Sequence, residues 1–102
     1  MSEPSGNIKV LYYGLVQNVV GKREEQLDIG NGASVNDLLK SLLDKYGEGF
    51  RDSLMDTRGE LRFTTRILLD GRDINDLKGL ETRLGENTEA SIVVMVHPIA
   101  GG

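Results

Sequence analysis

The stretch of this sequence best suited to chemistry is its last five residues, Pro98-Ile99-Ala100-Gly101-Gly102. Two glycines carry no β-carbon, so their backbone can enter a channel that any side chain would block. Fully extended, five residues reach roughly 16 to 18 Å, enough to carry the α-carboxylate of Gly102 from a domain surface into the active site of a partner. The alternative is an inert chain end, since termini are commonly disordered. Which interpretation holds depends on the domain that precedes these residues.

The other side chains form no recognisable catalytic constellation. The chain has no cysteine, which excludes a disulfide, a thiolate metal site and a cysteine nucleophile. Its one histidine, His97, belongs to no nucleophile motif, and a single histidine argues against a transition-metal site. The segment Gly30-Asn31-Gly32 lacks the phosphate-loop pattern and is predicted to be a turn. We therefore expect a protein that is not an enzyme and binds no cofactor of its own.

Size and charge narrow the classes of partner. At 102 residues the chain is long enough for one domain with a single modest core. The net charge of −4, without a run of basic residues, argues against binding to nucleic acid or to anionic membranes. Neither a hydrophobic signal core nor a stretch of 18 apolar residues occurs, so we expect a soluble, cytoplasmic protein. Residues 1–6 are predicted to be a disordered leader.

Alternating apolar and polar residues predict a hairpin near the N-terminus. The first strand spans Ile8 to Tyr13 and the second Glu24 to Ile29, and they are joined by a long turn over residues 14–22. In the first strand, Ile8, Val10 and Tyr12 share one face and Lys9, Leu11 and Tyr13 the other. In the second, Glu25 shares its face with Leu27 and Ile29.

The central element is predicted to be an amphipathic helix that begins after Ser34 and ends near Tyr46. Ser34 and Asp37 have the spacing of a capping box, and Gly47 is predicted to end the helix in the left-handed conformation. Apolar residues recur at the spacing of one helical face, which we expect to face the core. They are Val35, Leu38, Leu39, Leu42, Leu43 and Tyr46.

The second half of the chain predicts two further main strands. Residues 48–60 are expected to form a loop with a helical turn, followed by a strand from Thr65 to Leu69. Asp70-Gly71 is typical of a type I′ turn into a short strand over residues 72–74. A turn or two of helix within residues 75–84, a turn over residues 85–87 and a last strand over residues 90–96 complete the chain.

This order of elements predicts an α+β, β-grasp (ubiquitin-like) fold. One main helix would pack on a mixed sheet of four to five strands, with the first and last strands parallel and adjacent at its centre. The domain would span residues 7–97 and the flexible tail residues 98–102. A tail that leaves a central strand starts from a rigid base, which suits a group that must be aimed.

A partner-binding surface is predicted on the sheet face opposite the helix. Strand alternation places Leu11, Tyr13 and Leu68 there, with Lys9 and Arg66 as basic neighbours. The last strand would add either Val93 and Met95 or Ile92 and Val94. Such an apolar patch often marks a partner surface, to which the tail would add Pro98 and Ile99. The alternative is that residues 48–64 simply cover this face.

Several segments in this order resemble the MoaD/ThiS family of ubiquitin-like sulfur carriers, in particular archaeal MoaD-type proteins and small archaeal modifiers. The resemblance spans about residues 7 to 102, and His97 stands where the family often has phenylalanine. The segments that carry it are Ile8-Lys9-Val10-Leu11-Tyr12-Tyr13, Val20-Gly21-Lys22, Ala33-Ser34-Val35-Asn36-Asp37-Leu38-Leu39, Leu69-Asp70-Gly71-Arg72-Asp73-Ile74 and Pro98-Ile99-Ala100-Gly101-Gly102.

The resemblance implies a carrier whose Gly102 carboxylate is adenylated by an enzyme related to the ubiquitin activators, with ATP and magnesium bound by that partner. Attack by sulfur would give a thiocarboxylate that donates sulfur for molybdopterin within a complex with a MoaE-type large synthase subunit. Attack by a lysine of a target protein would give a conjugate. Both uses would need Gly101 and Gly102. Two alternatives remain: a β-grasp interaction module with an inert tail, and a ThiS-type thiamin carrier, which the length of residues 48–65 disfavours.

Overall fold

A computed structural model describes residues 7–29, 32–85 and 89–95. They form one five-stranded mixed sheet in the order β2-β1-β5-β3-β4, with three α-helices. The strands are β1 (Asn7–Gly14), β2 (Glu24–Asp28), β3 (Thr65–Leu69), β4 (Arg72–Asp73) and β5 (Glu89–Val94). The helices are α1 (Leu15–Val20), α2 (Val35–Tyr46) and α3 (Glu48–Leu54).

The predicted β-grasp topology is confirmed. β1 pairs with β2 in an antiparallel hairpin and with β5 in parallel, over a register that runs from Lys9 opposite Glu89 to Gly14 opposite Val94. β3 pairs antiparallel with β5 on its other side. A parallel pair needs a crossover connection, which the chain makes through α2. β5 is therefore an interior strand with a neighbour along each edge.

The hydrophobic core lies between the sheet and the helices. Alternation in β1 buries Ile8, Val10 and Tyr12, as the sequence predicts. The predicted helical face is also confirmed, because four of its six residues are buried and Leu43 and Tyr46 pack against the core from its edge. A Leu or Ile side chain buried in this way contributes about 1.5 to 3 kcal/mol relative to an exposed one.

The start of α2 has the predicted capping box. The hydroxyl of Ser34 accepts a hydrogen bond from the backbone N–H of Asp37 (3.2 Å), and the carboxylate of Asp37 accepts one from the N–H of Ser34 (2.9 Å). Two N–H groups that have no partner within the helix are thereby satisfied. At the other end Gly47 has the expected positive φ of 81°, but its ψ of −158° is not left-handed helical, so that prediction is wrong. The chain turns sharply at Gly47 because α3 begins at the next residue.

Two segments predicted as turn or loop are helical. Residues 15–20, expected to be part of a turn, form α1, which buries Val16 and Val20 one helical turn apart. Residues 48–54 form α3, longer than the single turn expected, and bury Phe50 and Leu54 in the same way. The two helices lie against each other. Burial of these four side chains explains both helices, since neither is long enough to be stable alone.

The remaining connections follow the sequence closely. Asp70 and Gly71 both have positive φ (48° and 87°), as a type I′ turn requires. Two short 3₁₀ turns, Ile74–Asp76 and Gly79–Glu81, replace the helical turns expected in residues 75–84. Within the described ranges, no helix is long and apolar enough to cross a membrane. The predictions for residues 1–6, 30–31, 86–88 and 96–102 fall outside the described residues.

Candidate partner surface at the end of the central strand

The sheet face opposite the helices brings the three predicted surface residues together. Leu11 lies opposite Ser91, and Ser91 lies opposite Leu68. Leu11, Ser91 and Leu68 therefore form one row across β1, β5 and β3. Tyr13 lies in the next row, opposite Val93. For the last strand the sequence left two pairs of residues open. Ile92 and Val94 are buried in the core, so Val93 and Met95 lie on the outer face.

This face is not covered by residues 48–64. Leu11, Leu68 and Val93 are only half-buried, and Tyr13 and Met95 expose 47% and 42% of their surface. α3 cannot cover them, because it contacts α2 and buries its apolar side chains in the core on the helical side of the sheet. The alternative that this segment hides the sheet face is therefore wrong.

The basic neighbours predicted for this face do not leave it positively charged. The ammonium group of Lys9 lies 3.8 Å from the carboxylate of Glu24. The guanidinium group of Arg66 lies 2.9 Å from the carboxylate of Asp73. Each cation is therefore matched by an acid one strand away, and the contribution of such exposed pairs to stability is small. The face offers apolar contact rather than a field of one sign.

Exposed apolar side chains gather where β5 ends. Tyr13, Leu15, Phe63 and Met95, which we call the exit surface, are four of the five large hydrophobic residues exposed in the described parts of the chain, and Phe63 is 80% exposed. Leu15, Phe63 and Met95 also line a groove of about 420 Å³, together with Leu61 and Val94. Asp52, Asp56 and Arg62 supply its polar rim. Exposed apolar groups collected at one place are typical of a surface that binds another protein.

The backbone around the exit surface holds the end of β5 from both sides. Gly14 is the last residue of β1 paired with β5, opposite Val94. One residue later, the N–H of Met95 donates a 2.9 Å hydrogen bond to the carbonyl oxygen of Thr64. Thr64 is itself fixed by its neighbour, since the hydroxyl of Thr65 donates to the carbonyl of Leu54 (3.0 Å). The chain is thus anchored as far as Met95.

The predicted reactive residues Gly101 and Gly102, and the predicted contact residues Pro98 and Ile99, lie outside the described residues. Gly102 follows Met95 by seven positions. Seven extended residues span at most roughly 23 to 25 Å. The exit surface therefore lies beside Met95, the last described residue, and an extended chain from Met95 could place Gly102 at most roughly 23 to 25 Å away.

A second polar site, which the sequence analysis did not anticipate, is centred on Glu25. Its side chain is only 8% exposed, and its carboxylate accepts hydrogen bonds from the hydroxyls of Tyr12 and Tyr46 (both 2.5 Å) and from the ammonium group of Lys45 (2.7 Å). Lys22 lies 3.5 Å away. The alternation that places Glu25 on the core face of β2 was the available clue, because a carboxylate on such a face needs partners.

The pKa values of this cluster follow from burial and hydrogen bonding. Burial alone would raise the pKa of Glu25, but the hydrogen bonds from Lys45, Tyr12 and Tyr46 outweigh it and lower that pKa to about 2. Burial and the bond to the carboxylate raise the pKa of Tyr46 to about 12, and the same two causes raise the pKa of Tyr12 further. Glu25 is therefore ionised and both tyrosines are neutral donors at neutral pH, which suits a structural anchor.

Comparison with known proteins agrees with this fold. Residues 10–102 match the model of the ThiS family. The chain is 27% identical to small archaeal modifier protein 3 of Haloferax volcanii over 95 residues, which cover 93% of this chain and 98% of that protein. It is 30% identical to the solution structure of small archaeal modifier protein 1 from Methanosarcina acetivorans, with a TM-score of 0.71 and coverage of 98% and 100%.

A likeness of fold extends to a eukaryote. The solution structure of Urm1 from Trypanosoma brucei has a TM-score of 0.74 at 21% identity and covers 96% of this chain and 100% of its own. The family match spans almost the whole chain, and the parallel central strands, the main crossover helix α2 and the order of the strands are those of a β-grasp domain. The chain therefore belongs to the ThiS family and has the β-grasp fold of the ubiquitin-like proteins.

Proposed function

We propose that this protein is a sulfur carrier or protein modifier whose Gly102 carboxylate is activated by an ATP-using, ubiquitin-activating-type enzyme. Membership of the ThiS family supports the class of protein, and the sequence of the tail supports the reacting group. ATP and magnesium would be bound by the partner. The carrier itself would contribute a carboxylate, a narrow arm and a docking surface, so it acts as a substrate and not as an enzyme.

The chemistry explains why activation is needed. A carboxylate is a poor electrophile, whereas its acyl-adenylate, formed with release of pyrophosphate, carries AMP as a good leaving group. Attack by a sulfur nucleophile expels AMP and leads to a thiocarboxylate, which can supply sulfur for molybdopterin in a complex with a MoaE-type synthase subunit. Attack by a lysine amine expels AMP and gives an isopeptide bond. Gly101 and Gly102 would leave the carbonyl carbon accessible in either case.

The observation that carries this proposal is the anchoring of β5. The strand is paired on both edges as far as Val94, and Met95 is held on the β3 side by its hydrogen bond to Thr64. An arm that starts there has a fixed origin beside the exit surface. A fixed origin reduces the conformational freedom that must be lost when Gly102 is placed in an active site. An interaction module with an inert tail has no need of this arrangement.

The proposal is tested by the intact mass of the protein isolated from its native host. We expect a species in which one oxygen of the C-terminal carboxylate is replaced by sulfur, or Gly-Gly remnants on lysines of other proteins. A chain that lacks Gly101 and Gly102 should show neither and should not support ATP–pyrophosphate exchange with the host's activating enzyme. Its thermal midpoint should be unchanged, because the deletion lies beyond β5.

The outcomes separate the alternatives. Exchange at the wild-type rate by the shortened chain would show that Gly102 does not react, and the proposal would fail. A wild-type protein with neither thiocarboxylate nor conjugates in its host, and no exchange in vitro, would favour the inert interaction module. Sulfur found only in thiamin precursors would assign the chain to the thiamin branch.

A further inference from the structure

Gly14 lies at the closest approach of β1 to the end of β5. It has φ 79° and ψ −145°, a conformation that is essentially restricted to glycine. A β-carbon at this position would overlap the carbonyl oxygen of Val94 and lie 3.0 Å from its carbonyl carbon. Both are backbone atoms, so they cannot rotate away as the end of a side chain would. Any larger residue at position 14 must therefore displace the end of β5.

The other side of β5 offers little room for such a displacement. There the N–H of Met95 is bonded to the carbonyl of Thr64, and the backbone N–H of Arg62 is bonded to the carbonyl of Leu54 (2.8 Å). The end of β5 is thus confined between Gly14 and the segment that leads into β3. A push from position 14 is directed towards Thr64, so the peptide group between Val94 and Met95 can yield only by turning out of its place. That turn would distort or break the hydrogen bond from Met95 to Thr64.

We propose that Gly14 is a positioning residue for the tail. By letting the end of β1 lie directly against the carbonyl of Val94, it sets the point and the direction in which the chain leaves the sheet at Met95. The inference rests on the proposed function, since direction matters only if Gly102 must reach an active site. A misplacement of about 1 Å at a reacting group can cost about a hundredfold in rate. Gly14 does not touch the reacting atoms and acts only through Val94 and Met95.

The chain provides a matched control. Gly21, at the end of α1, also has a positive φ, of 84°, but apart from its neighbours along the chain no atom lies within 4 Å of the place where its β-carbon would stand. Alanine at position 21 therefore introduces a strained φ without pushing on a neighbour. Comparison of Gly14→Ala with Gly21→Ala separates displacement of β5 from the general effect of a side chain in a glycine conformation.

The experiment measures two properties of the full-length chain and both variants. Amide hydrogen exchange reports the bond between Met95 and Thr64. Steady-state ATP–pyrophosphate exchange with the activating enzyme gives kcat and KM for the carrier. For Gly14→Ala we expect faster hydrogen exchange at the Met95 amide and a fall in kcat of at least about tenfold. KM should change much less than kcat, because the variant keeps every side chain of the exit surface and displaces only Met95. Gly21→Ala should match the wild type in both.

A third variant keeps the inference testable if Gly14→Ala does not fold. Two glycines inserted between Met95 and Val96 leave Gly14 intact but uncouple the tail from the direction of β5, so they should also lower kcat by at least about tenfold. Wild-type kcat in the inserted chain, or wild-type Met95 protection in a folded Gly14→Ala chain, would overturn the inference. Absence of ATP–pyrophosphate exchange with the wild-type carrier would instead contradict the proposed function. In that case, hydrogen exchange at the Met95 amide would still decide whether Gly14 holds the end of β5.

Discussion

The hydroxyl of Tyr46, in the last turn of α2, lies 2.5 Å from the carboxylate of Glu25 on the edge strand β2. Tyr12 of β1 donates to the same carboxylate, so one side chain joins two strands and the main helix. Edge strands are held by only one neighbour and open more readily than central strands. Besides its backbone pairing with β1, β2 is therefore held by the hydrogen bond between Glu25 and Tyr46, which attaches it to α2.

This cluster predicts that stability falls in acid. The pKa of Glu25 is lowered from 4.5 to about 2, so its contribution is fully present above about pH 4.5 and is lost as the pH falls towards 2. A shift of that size corresponds to about 3 kcal/mol. Urea unfolding between about pH 4.5 and 2 should show this fall in the free energy of unfolding. In Glu25→Gln the free energy of unfolding should depend much less on pH over the same range. Glu24→Gln, at the exposed neighbouring position, is the control; an equal effect of both changes would exclude a special role for Glu25.

The buried face of α2 predicts large losses on truncation. Leu39 and Leu42 are at most 1% exposed, so replacement of either by alanine leaves a cavity in the main core and should destabilise the protein by about 2 to 5 kcal/mol. Lys40→Ala, on the exposed side of the same turn, should change the free energy of unfolding by less than about 0.5 kcal/mol. Similar denaturant midpoints for Leu42→Ala and Lys40→Ala would contradict the packing described above.

The two faces of β3 predict opposite results at adjacent residues. Leu68 lies half-buried on the outer face and Leu69 is buried in the core. Leu68→Lys should therefore leave the chain folded and weaken its binding to the activating enzyme or synthase subunit, whereas Leu69→Lys should unfold it. Lysine is preferable to aspartate at position 68, because Asp73 lies directly opposite and like charges there are destabilising. Normal binding of both partners by folded Leu68→Lys would remove this face from the proposed interface.

The exit surface predicts a loss of binding without a loss of stability. Phe63 is largely exposed, so Phe63→Ser should alter the free energy of unfolding by less than about 0.5 kcal/mol but raise the Kd for the activating enzyme. Val19→Ser is a suitable control, because Val19 is also exposed but does not line the groove. Isothermal titration calorimetry of the wild type, Phe63→Ser and Val19→Ser with the activating enzyme would measure the three Kd values. Equal Kd values would show that the partner does not contact Phe63.

A conservative change at Gly102, the residue proposed to react, predicts a kinetic defect. Gly102→Ala keeps the carboxylate and the reach of the tail but adds a β-carbon beside the reacting carbon. We expect adenylation to slow by about a hundredfold while the melting curve is unchanged. Pyrophosphate exchange alongside thermal melts would measure both, and an unimpaired rate would show that the active site does not require glycine at this position.

The sequence predicted the elements whose pattern is long and local. The α2 stripe repeats over three turns, and the alternation of β1 and β3 extends over five residues or more, so each has a clear period. α1 has only six residues and includes the β-branched Val16, Val19 and Val20, which lower its intrinsic helix propensity. Its helical form depends on contact with α3, which no local pattern reports.

The sites differ in the same way. The surface formed by Leu11, Tyr13 and Leu68 follows from strand alternation once β1 and β3 are placed in one sheet, so it could be predicted. In the Glu25 cluster, Tyr12 lies 13 positions before Glu25 in the sequence and Tyr46 lies 21 positions after it, so no local pattern predicts their contact. The groove depends on residues 61–64, whose path no sequence pattern predicts. The sequence pattern predicts a turn at Gly14, since the close approach of Gly14 to Val94 depends on residues 80 positions apart.

The parallel pairing of β1 with β5 also affects the order in which the protein folds. Val10 pairs with Ala90, near the opposite end of the chain, so the centre of the sheet closes only after almost all of the chain is available. Such long-range pairings are slow, because the entropy of closing a long loop opposes them before other contacts are gained. Until β5 enters the sheet, Met95 has no fixed position and the exit surface does not exist. The proposed arm would thus be offered to a partner only by a chain that has completed its fold.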